Sequence, residues 1–293
     1  MRSLFGMDSN GGLLESTRKI DPSRSPFIKE RLDVVVKGDS LQELIDRVGR
    51  LPASEATFKV RLIQSSELGS HEKIRFQERR KIEREVGLHI PGTADLHQPD
   101  QLFGVIKMDG SWVFGPYIES EPVWLQHQWK PQSYSTALST RVARAVGNIA
   151  VPDPTGVKAI DPCCGNGTVL VEALSMGIDI VGSDLNPLII EGVRENIAYF
   201  GLEGEVELRD IREVTNDYDA AIIDMPYNLC SEITPTQQLE ILESARRFAS
   251  KLVVVTIEPI DSIIERAGFT IVDRCIVRKR RVGPFAREII VCE

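Results

Sequence analysis

Cysteine and histidine are scarce, and their spacing matches no common disulfide or metal pattern. The chain of 293 residues has four histidines and an odd number of cysteines, five. No two cysteines have the C-x-x-C spacing, which argues against a disulfide framework and against a zinc knuckle. We therefore expect no metal ion and a reducing compartment, the cytoplasm. The cysteines are Cys163, Cys164, Cys230, Cys275 and Cys292.

Long apolar runs and an excess of positive charge are also missing. No run approaches the roughly 18 apolar residues that suggest a membrane-spanning helix. The first residues, MRSLFGMDSNGG, lack the apolar core of a signal peptide. We therefore expect no membrane partner. The formal net charge of −8 disfavours non-specific coating of nucleic acid but allows local basic patches.

The C-terminal half shows a regular alternation of strand-like and helix-like segments from residue 157 onward. Gly177 ends the first helix, Asn186 and Pro187 begin the second, and Thr234 with Gln237 predicts a capping box. The alternation predicts an α/β domain with a mostly parallel sheet covered on both faces. The last two strands have no helix between them, which predicts an antiparallel hairpin at the sheet edge. The seven strand-like segments are VKAIDP, DIVGSDL, EVELRD, DAAIIDM, KLVVVTI, FTIVDRCIVRK and REIIVCE.

The N-terminal half has the pattern of a separate α+β module. LDVVVKG and FKVRLIQ are strand-like, and Ser40 with Glu43 predicts a capping box. A long charged helix is expected to end at Gly87, and Asp109-Gly110 favours a two-residue hairpin turn. We divide the chain into an N-terminal module in residues 1–125, a connector and leading helix in 126–150, and the α/β domain in 151–293.

A glycine-containing loop, DPCCGNGT, joins the first strand of the α/β domain to its first helix. Gly165 and Gly167 let a ligand approach the backbone at a helix N-terminus, although a tight turn alone would also use them. A dinucleotide-binding loop has a third glycine, which GNGTVL lacks. The carboxylate of Asp161 would repel a pyrophosphate and attract a cationic ligand. S-adenosylmethionine, which has an α-ammonium and a sulfonium and no phosphate, is therefore preferred over NAD.

Two further acids follow the next strands of the sheet. Asp184 ends VGSDL, where an acid accepts hydrogen bonds from ribose hydroxyls. Asp210 ends VELRD, where a carboxylate can accept from an adenine amino group. Each alone has the pattern of a surface or helix-capping acid. Ligands of open α/β sheets bind at the carboxyl ends of the strands, so three acids there with a glycine loop indicate a cofactor site.

The segment DMPYN ends the fourth strand, so Asp224 is expected beside the reactive methyl group of that cofactor. An exocyclic amine of a base offers two N–H donors. Asp224 can accept one and a backbone carbonyl of the Met225-Pro226 turn the other, which aligns the nitrogen and stabilises its developing charge. Tyr227 offers a face for stacking, and the base must be unpaired or extruded. The alternative is that DMPYN is only a turn that ends the strand. The glycine loop upstream makes this the minority interpretation.

These motifs resemble those of a known family. DPCCGNGT and DMPY are similar to D-P-x-C-G-x-G-T and [DN]-P-P-[YFW], the signatures of class I amino-methyltransferases. Over nearly its full length the chain resembles the THUMP-domain RNA methyltransferases, in particular the tRNA guanine-10 N2-methyltransferase group. The segments FKVRL, GLHIPGTADLHQPDQLFGVIK and WKPQSYSTALSTRVARAVGNIA carry the rest of the likeness.

The resemblance implies a Rossmann-like class I fold with a mostly parallel seven-stranded sheet, preceded by a ferredoxin-like and THUMP-like RNA-binding module. It implies S-adenosylmethionine-dependent methylation of the N2 amine of a guanosine in RNA, with tRNA as the partner. It also implies catalysis by Asp224, Pro226 and Tyr227, while the family has proline where this chain has Met225. Residues 134–136 are expected to border the methionine end of the cofactor. The implied cofactor-binding residues are Asp161, Cys163, Gly165, Asn166, Gly167, Thr168, Asp184, Leu185, Asp210 and Ile211.

Two basic clusters are candidates for phosphate contacts. The cluster in the long N-terminal helix is interspersed with glutamates, so we interpret it as a solvated face with i,i+4 pairs. The second cluster is nearly free of acids and is the predicted substrate-binding site. Trp124, Trp129 and Tyr134 either stack on bases or pack between domains. The first cluster is Arg75, Arg79, Arg80, Lys81 and Arg84, and the second is Arg278, Lys279, Arg280 and Arg281.

Other functions stay open at this point. Adenine N6 in DNA or RNA also presents two N–H donors to the D-x-P-Y arrangement. A catalytically inactive, cofactor-binding RNA-binding protein is favoured only by Met225. An NAD-dependent oxidoreductase is disfavoured by Asp161 and the missing glycine. Cys163 and Cys164 are interpreted as small packing residues of the loop, and no cysteine nucleophile is expected.

Overall fold

The computed structural model describes residues 1–9, 11–64, 74–133, 137–226, 233–278 and 286–293. The chain divides into two compact units, Met1–Glu121 and Pro122–Glu293. The residues assigned to a connector and leading helix, 126–150, therefore belong to the second unit.

The first unit is an α+β module built on a five-stranded sheet. The strands run in the order β1-β5-β4-β3, and β2 also pairs with β5. β4 is antiparallel to β5 and parallel to β3. Leu44, Val86 and Phe114 lie in the core between the sheet and its helices. The elements are α1 (Arg2–Phe5), β1 (Glu30–Leu32), β2 (Val36–Gly38), α2 (Leu41–Val48), β3 (Phe58–Leu62), α3 (Phe76–His89), β4 (Gln101–Met108) and β5 (Ser111–Glu119).

The predicted hairpin turn of this unit is confirmed, and the predicted capping box is only half formed. Asp109 and Gly110 both have positive φ, 47° and 83°, as a two-residue hairpin turn requires. The Ser40 side chain accepts from Glu43 N at the start of α2. The Glu43 carboxylate, however, accepts from Asp39 N at 2.8 Å, one residue before the position that a capping box uses.

Two predictions for this unit were wrong in detail. The long charged helix does not end at Gly87 but continues to His89, because Gly87 keeps a helical conformation where α3 packs near Val60. The predicted strand LDVVVKG is two strands, since residues 33–35 form an irregular step between β1 and β2. Gly115 allows this step, because a Cβ there would lie 1.8 Å from Asp33 O.

The second unit contains a seven-stranded sheet in the order β11-β12-β10-β9-β6-β7-β8. All neighbours are parallel except β12, which is antiparallel to both β10 and β11. The mostly parallel α/β sheet with an antiparallel hairpin at its edge is therefore confirmed. The elements are α4 (Thr140–Ala150), β6 (Lys158–Asp161), α5 (Thr168–Leu174), β7 (Asp179–Asp184), α6 (Pro187–Tyr199), β8 (Val206–Leu208), β9 (Tyr218–Asp224), α7 (Pro235–Phe248), β10 (Ala249–Thr256), α8 (Asp261–Arg266), β11 (Ile271–Arg278) and β12 (Ala286–Cys292).

Helices cover both faces of this sheet, so its central strands are apolar throughout. Val253 and Val255 of β10 face one core cluster, and Leu252 and Val254 face the other. Such continuous apolar runs are typical of parallel strands buried on both faces. The strand order reverses between β6 and β9, and a crevice at the carboxyl ends of the strands forms at such a reversal.

The predicted helix signals of this unit are confirmed. Asn186 accepts from Leu188 N, with Pro187 as the first residue of α6. Thr234 and Gln237 form a complete capping box at α7. Gly177 has φ 72°, in the left-handed region that follows many helices.

Candidate active site

The glycine loop between β6 and α5 has a backbone that requires its glycines. Gly165 and Gly167 have φ values of 50° and 72°, in the left-handed region that side chains disfavour. A Cβ at Gly167 would also lie 2.7 Å from Val193 Cγ1. The loop therefore packs tightly on α6 and brings its backbone to the carboxyl edge of the sheet.

A cavity of about 870 Å³ opens beside this loop. It lies at the carboxyl ends of β6, β7, β8 and β9, which are neighbours in the sheet. Its size is in the range of small-molecule sites. Gly167 caps α5 behind the wall and does not line the cavity. The wall includes these predicted site residues: Asp161, Cys163, Gly165, Asn166, Thr168, Asp184, Leu185, Asp210, Ile211, Asp224 and Pro226.

Asp161 is the deepest acid of the cavity. It is 3% exposed, and its Oδ1 has no hydrogen-bond partner among the described residues. Burial raises the pKa of this carboxyl well above its ordinary value, the Cys163 N–H opposes the shift, and the charges of Asp224 and Asp184 add to it. A cationic ligand would restore the ionised form, because opposite charges attract strongly in a partly dry cavity.

Asp184 and Asp210 differ from Asp161 because protein donors contact both oxygens of each carboxylate. Asp184 accepts from Gly165 N at 3.1 Å and from Asn186 N at 3.0 Å, so it fixes the loop as well as facing the cavity. Asp210 accepts from Arg212 Nε at 3.0 Å and Nη2 at 2.5 Å. The Arg212 guanidinium lowers the pKa of the Asp210 carboxyl.

Asp224 is the last residue of β9, and the two residues after it differ in their surroundings. Met225 N donates to Val255 O at 2.9 Å, so sheet pairing continues one residue past the strand. The Met225 side chain is 2% exposed and packs in the core. Pro226 is exposed on the cavity wall. Met225 thus fills core space, while its backbone leads to the mouth of the cavity.

The second unit matches a family of methyl-transferring enzymes. Residues 127–256 match the family model described as UPF0020, RMKL-like, methyltransferase domain. This segment, less than half of the chain, is therefore similar to an RMKL-like methyltransferase domain.

Two curated relatives are tRNA (guanine(10)-N2)-dimethyltransferases of archaea. That of Methanothermobacter thermautotrophicus is 36% identical over 107 residues, 34% of this chain and 30% of the relative. That of Pyrococcus abyssi is 29% identical over 122 residues, 40% of this chain and 36% of the relative. The chain thus spans about a third of the length of these two relatives.

The fold is shared with a solved structure. The crystal structure of TrmN from Thermus thermophilus has a TM-score of 0.50 and 19% identity, over 91% of this chain and 83% of that one. The expected class I methyltransferase fold is confirmed. S-adenosylmethionine is the cofactor of such a domain, and the cavity fits it. Its buried acid with a free oxygen, its glycine loop and its volume suit an adenosine with a cationic amino-acid end.

Burial affects the two cysteines of the methyltransferase loop, for which we expect no nucleophilic role. Burial, with the charge of Asp161, raises the pKa of both the Cys163 and the Cys164 thiol far above the ordinary value. Both thiols are therefore neutral at physiological pH. Both cysteines lie on the cavity wall, and Cys164 also packs in the core. The contact of Cys163 with the cofactor stays a prediction.

The basic clusters are only partly described. In α3, Arg79 pairs with Glu83 at 2.8 Å and Lys81 with Glu85 at 3.9 Å, so its interpretation as a solvated face with i,i+4 pairs is confirmed. Arg278 is exposed at the end of β11, whereas residues 279–281 lie outside the described residues.

The aromatic candidates have different surroundings. Trp124 is buried in the second unit beneath Arg144, whose guanidinium carbon lies 5.4 Å from the ring centroid. It therefore packs within that unit. Trp129 is 80% exposed. Tyr227 and residues 134–136, all predicted near the reacting groups, lie outside the described residues.

Sequence reasoning missed a buried polar network behind the methyltransferase loop. Glu172 of α5 is fully buried and contacts His127 Nδ1 and Arg144 Nη1, each at 2.9 Å. Lys130 reaches Thr168, the first residue of α5, at 2.8 Å. No sequence motif predicts these contacts, because the residues that form each contact are 28 to 45 positions apart in the chain. Arg144, which falls among the buried apolar positions of α4, was the sequence feature that could have indicated this network.

Within the described ranges, no helix combines the length and apolarity needed to cross a bilayer. Those ranges also contain no group of three or more Cys, His, Asp or Glu side chains placed to bind a metal ion.

Proposed function

We propose that this chain transfers a methyl group from S-adenosylmethionine to the exocyclic N2 amine of a guanosine in RNA, with tRNA as the substrate. The carrying observation is the cavity of the methyltransferase domain, where Asp161, Asp184, Asp210 and Asp224 follow four neighbouring strands. The activity for which the two archaeal relatives are named supports the choice of guanine N2 and tRNA.

We assign one part of the cofactor to each group of residues on the cavity wall. Asp161 accepts from the α-ammonium of the amino-acid end, beside the backbone of Gly165. Asp184 and Leu185 meet the ribose, and Asp210 with Ile211 meets the adenine. The cofactor supplies an electrophilic methyl group.

Asp224 and Pro226 form the proposed reaction corner. The Asp224 carboxylate accepts one N–H of the guanine amine, and a backbone carbonyl of the Met225-Pro226 turn accepts the other. These two contacts point the nitrogen lone pair at the methyl group and favour the positive charge that grows on nitrogen. The proton leaves the nitrogen after the transfer, so no strong general base is needed. Tyr227 stacks on the base.

The RNA is proposed to contact residues outside this corner. The first unit is an α+β module, as expected of a THUMP-like RNA-binding module, and Arg278 to Arg281 add a basic segment that begins at the end of β11 in the sequence. We retain the division into residues 1–125, 126–150 and 151–293 as a functional proposal, and we place the protein in the cytoplasm with its tRNA substrate.

The test is methyl transfer from labelled S-adenosylmethionine to unmodified tRNA and, separately, to duplex DNA, followed by mass spectrometry of the nucleosides. We expect N2-methylguanosine from tRNA. N6-methyladenine from either substrate would contradict the proposed acceptor and keep the cofactor assignment. Bound cofactor with no transfer to either would favour an inactive binding protein.

A further inference from the structure

A lysine of the second unit reaches the cofactor loop from behind. Lys130 follows a short helical turn at residues 127–129, is half-buried, and donates from Nζ to Thr168 Oγ1 at 2.8 Å. Thr168 is both the last residue of the DPCCGNGT motif and the first residue of α5. Burial lowers the pKa of Lys130, partly offset by the charge of Glu172. Burying an ammonium is unfavourable, so this placement needs a reason.

The hydrogen bond fixes the direction of a short relay. A lysine ammonium only donates, so the Thr168 hydroxyl accepts from it and turns its own proton to Asn166 Oδ1 at 2.8 Å. Asn166 must therefore present its oxygen to Thr168 and its Nδ2 group elsewhere. Asn166 is 7% exposed, and Nδ2 has no acceptor among the described residues. An unpartnered buried donor on the cavity wall fits an acceptor group of the ligand.

A second contact holds the same asparagine from its backbone. Asn196 of α6 is fully buried and donates from Nδ2 to Asn166 O at 2.9 Å and to Gln132 O at 2.8 Å. Its Oδ1 accepts from Gln132 N at 2.8 Å. Lys130 thus contacts the loop directly, through the side chain of Thr168. Gln132 contacts it indirectly, through Asn196, which binds the backbone carbonyl of Asn166.

We propose that Lys130 is a positioning residue of the cofactor site, which acts through Thr168 to orient Asn166 Nδ2 toward the carboxylate of the cofactor's methionine end. This rests on the proposed function. It gives the zwitterionic end two complementary groups, Asp161 for the ammonium and Asn166 for the carboxylate. Lys130 itself touches neither the cofactor nor the reacting atoms in this arrangement.

The chain offers a matched control. Lys251 is also half-buried, with its pKa also lowered by burial. Its Nζ donates to Ile149 O at 2.6 Å and Ala150 O at 2.9 Å. These carbonyls end α4, and Lys251 lies near the amino end of β10, at the edge of the sheet opposite the cavity. Lys251 therefore tests the loss of a buried lysine without a cofactor role.

The experiment compares the dissociation constant of S-adenosylhomocysteine, by calorimetry, with the melting temperature of the ligand-free full chain. Lys130→Met should raise the dissociation constant about 10-fold, the loss expected for a charged hydrogen bond. It should also raise the KM for S-adenosylmethionine more than it lowers kcat. Lys130→Arg, which keeps a cationic donor, should recover most of the affinity. Lys251→Met should lower the melting temperature and leave the dissociation constant within about 2-fold of the wild type.

A second variant keeps the proposal falsifiable if Lys130→Met folds poorly. Thr168→Val removes the hydroxyl with little change of shape and should weaken binding similarly, and the double variant should be no weaker than either single variant. Unchanged affinity in both single variants, or additive losses in the double variant, would overturn the relay. A wild-type protein that does not bind S-adenosylhomocysteine would overturn the cofactor assignment itself, whatever the variants do.

Discussion

Asp161 and Asp210 lie on the wall of one cavity, each at the carboxyl end of a strand of one sheet, yet their surroundings differ. Asp161 is buried with an oxygen that no described residue contacts, and its pKa is raised. Asp210 is held by Arg212, and its pKa is lowered. We call the ends of β6 and β9 the buried half of the cavity, and the ends of β7 and β8 the engaged half.

The different surroundings of Asp161 and Asp210 indicate that the two halves of the cavity bind different parts of the cofactor. In the engaged half, protein donors fix the carboxylates before any ligand arrives, and we propose that this half binds the neutral adenosine. In the buried half, one oxygen of Asp161 has no donor among the described residues, and burial disfavours the ionised form. Perturbed groups of this kind are typical of functional sites. A cation that binds there relieves the penalty, so the two halves predict different responses to mutation.

The largest effect is expected at the reaction corner of the buried half. Asp224→Asn keeps the shape but loses the charge that stabilises the nitrogen, so kcat should fall about 10³-fold, while the dissociation constant of S-adenosylhomocysteine changes little. Single-turnover transfer and calorimetry measure the two quantities. Asp217→Asn, at an exposed residue before β9, is the control. A matching loss of cofactor affinity would place Asp224 in the cofactor pocket instead.

Asp161→Asn should separate stability from binding. The ionised carboxyl destabilises the ligand-free fold at neutral pH, because its folded pKa is raised, and this penalty is relieved as the pH falls. The variant should therefore melt about 3 °C higher without ligand and bind S-adenosylhomocysteine about 30-fold more weakly. Asp179→Asn, at the exposed start of β7, should change neither. A lower melting temperature in Asp161→Asn would contradict the account.

Met225→Pro introduces the proline that the similar family signature, [DN]-P-P-[YFW], has at this position. Proline removes the N–H that donates to Val255 O and leaves part of the core space of Met225 empty. We expect the free energy of unfolding to fall by about 1–3 kcal/mol, measured by urea denaturation. Met225→Leu, which nearly conserves volume, should cost less than about 1.5 kcal/mol. Equal stability of wild type and Met225→Pro would show that the Met225 N–H bond contributes little.

The smallest effect is expected in the engaged half. Arg212→Ala removes an exposed guanidinium, so the affinity for S-adenosylhomocysteine should change by less than about 3-fold. The pKa of Asp210 should rise toward its ordinary value. A lowered folded pKa adds stability that is present at neutral pH and is lost as the pH falls through it, so the variant should have less of this contribution at neutral pH. An NMR titration of Asp210 measures the shift, with Arg266→Ala as the control. An unchanged titration of Asp210 would contradict the role given to Arg212.

Local patterns predicted the parts of this architecture that neighbouring residues determine. The caps at Asn186 and Thr234 and the turn at Asp109 depend on residues within one turn of chain. The strand-end acids were predictable because the carboxyl ends of parallel strands meet at one edge.

Contacts between distant segments were not predictable in this way. Gly87 stays helical because of its packing against β3, and LDVVVKG is interrupted where Gly115 admits another backbone. The contact of Lys130 with Thr168, across 38 residues, depends on how loops meet in three dimensions. Arg212, in contrast, contacts Asp210 within one short turn, two residues along the chain. The acids could therefore be located from the sequence, but not the opposite shifts of their pKa values.

The affinity for S-adenosylhomocysteine as a function of pH tests most directly the claim that the buried half binds the cationic end of the cofactor. This ligand keeps the α-ammonium, which should favour the ionised form of Asp161. The wild type should bind more tightly as the pH rises through the raised pKa of Asp161 in the free protein, and Asp161→Asn should lack this dependence. Parallel profiles for the two proteins would contradict the claim.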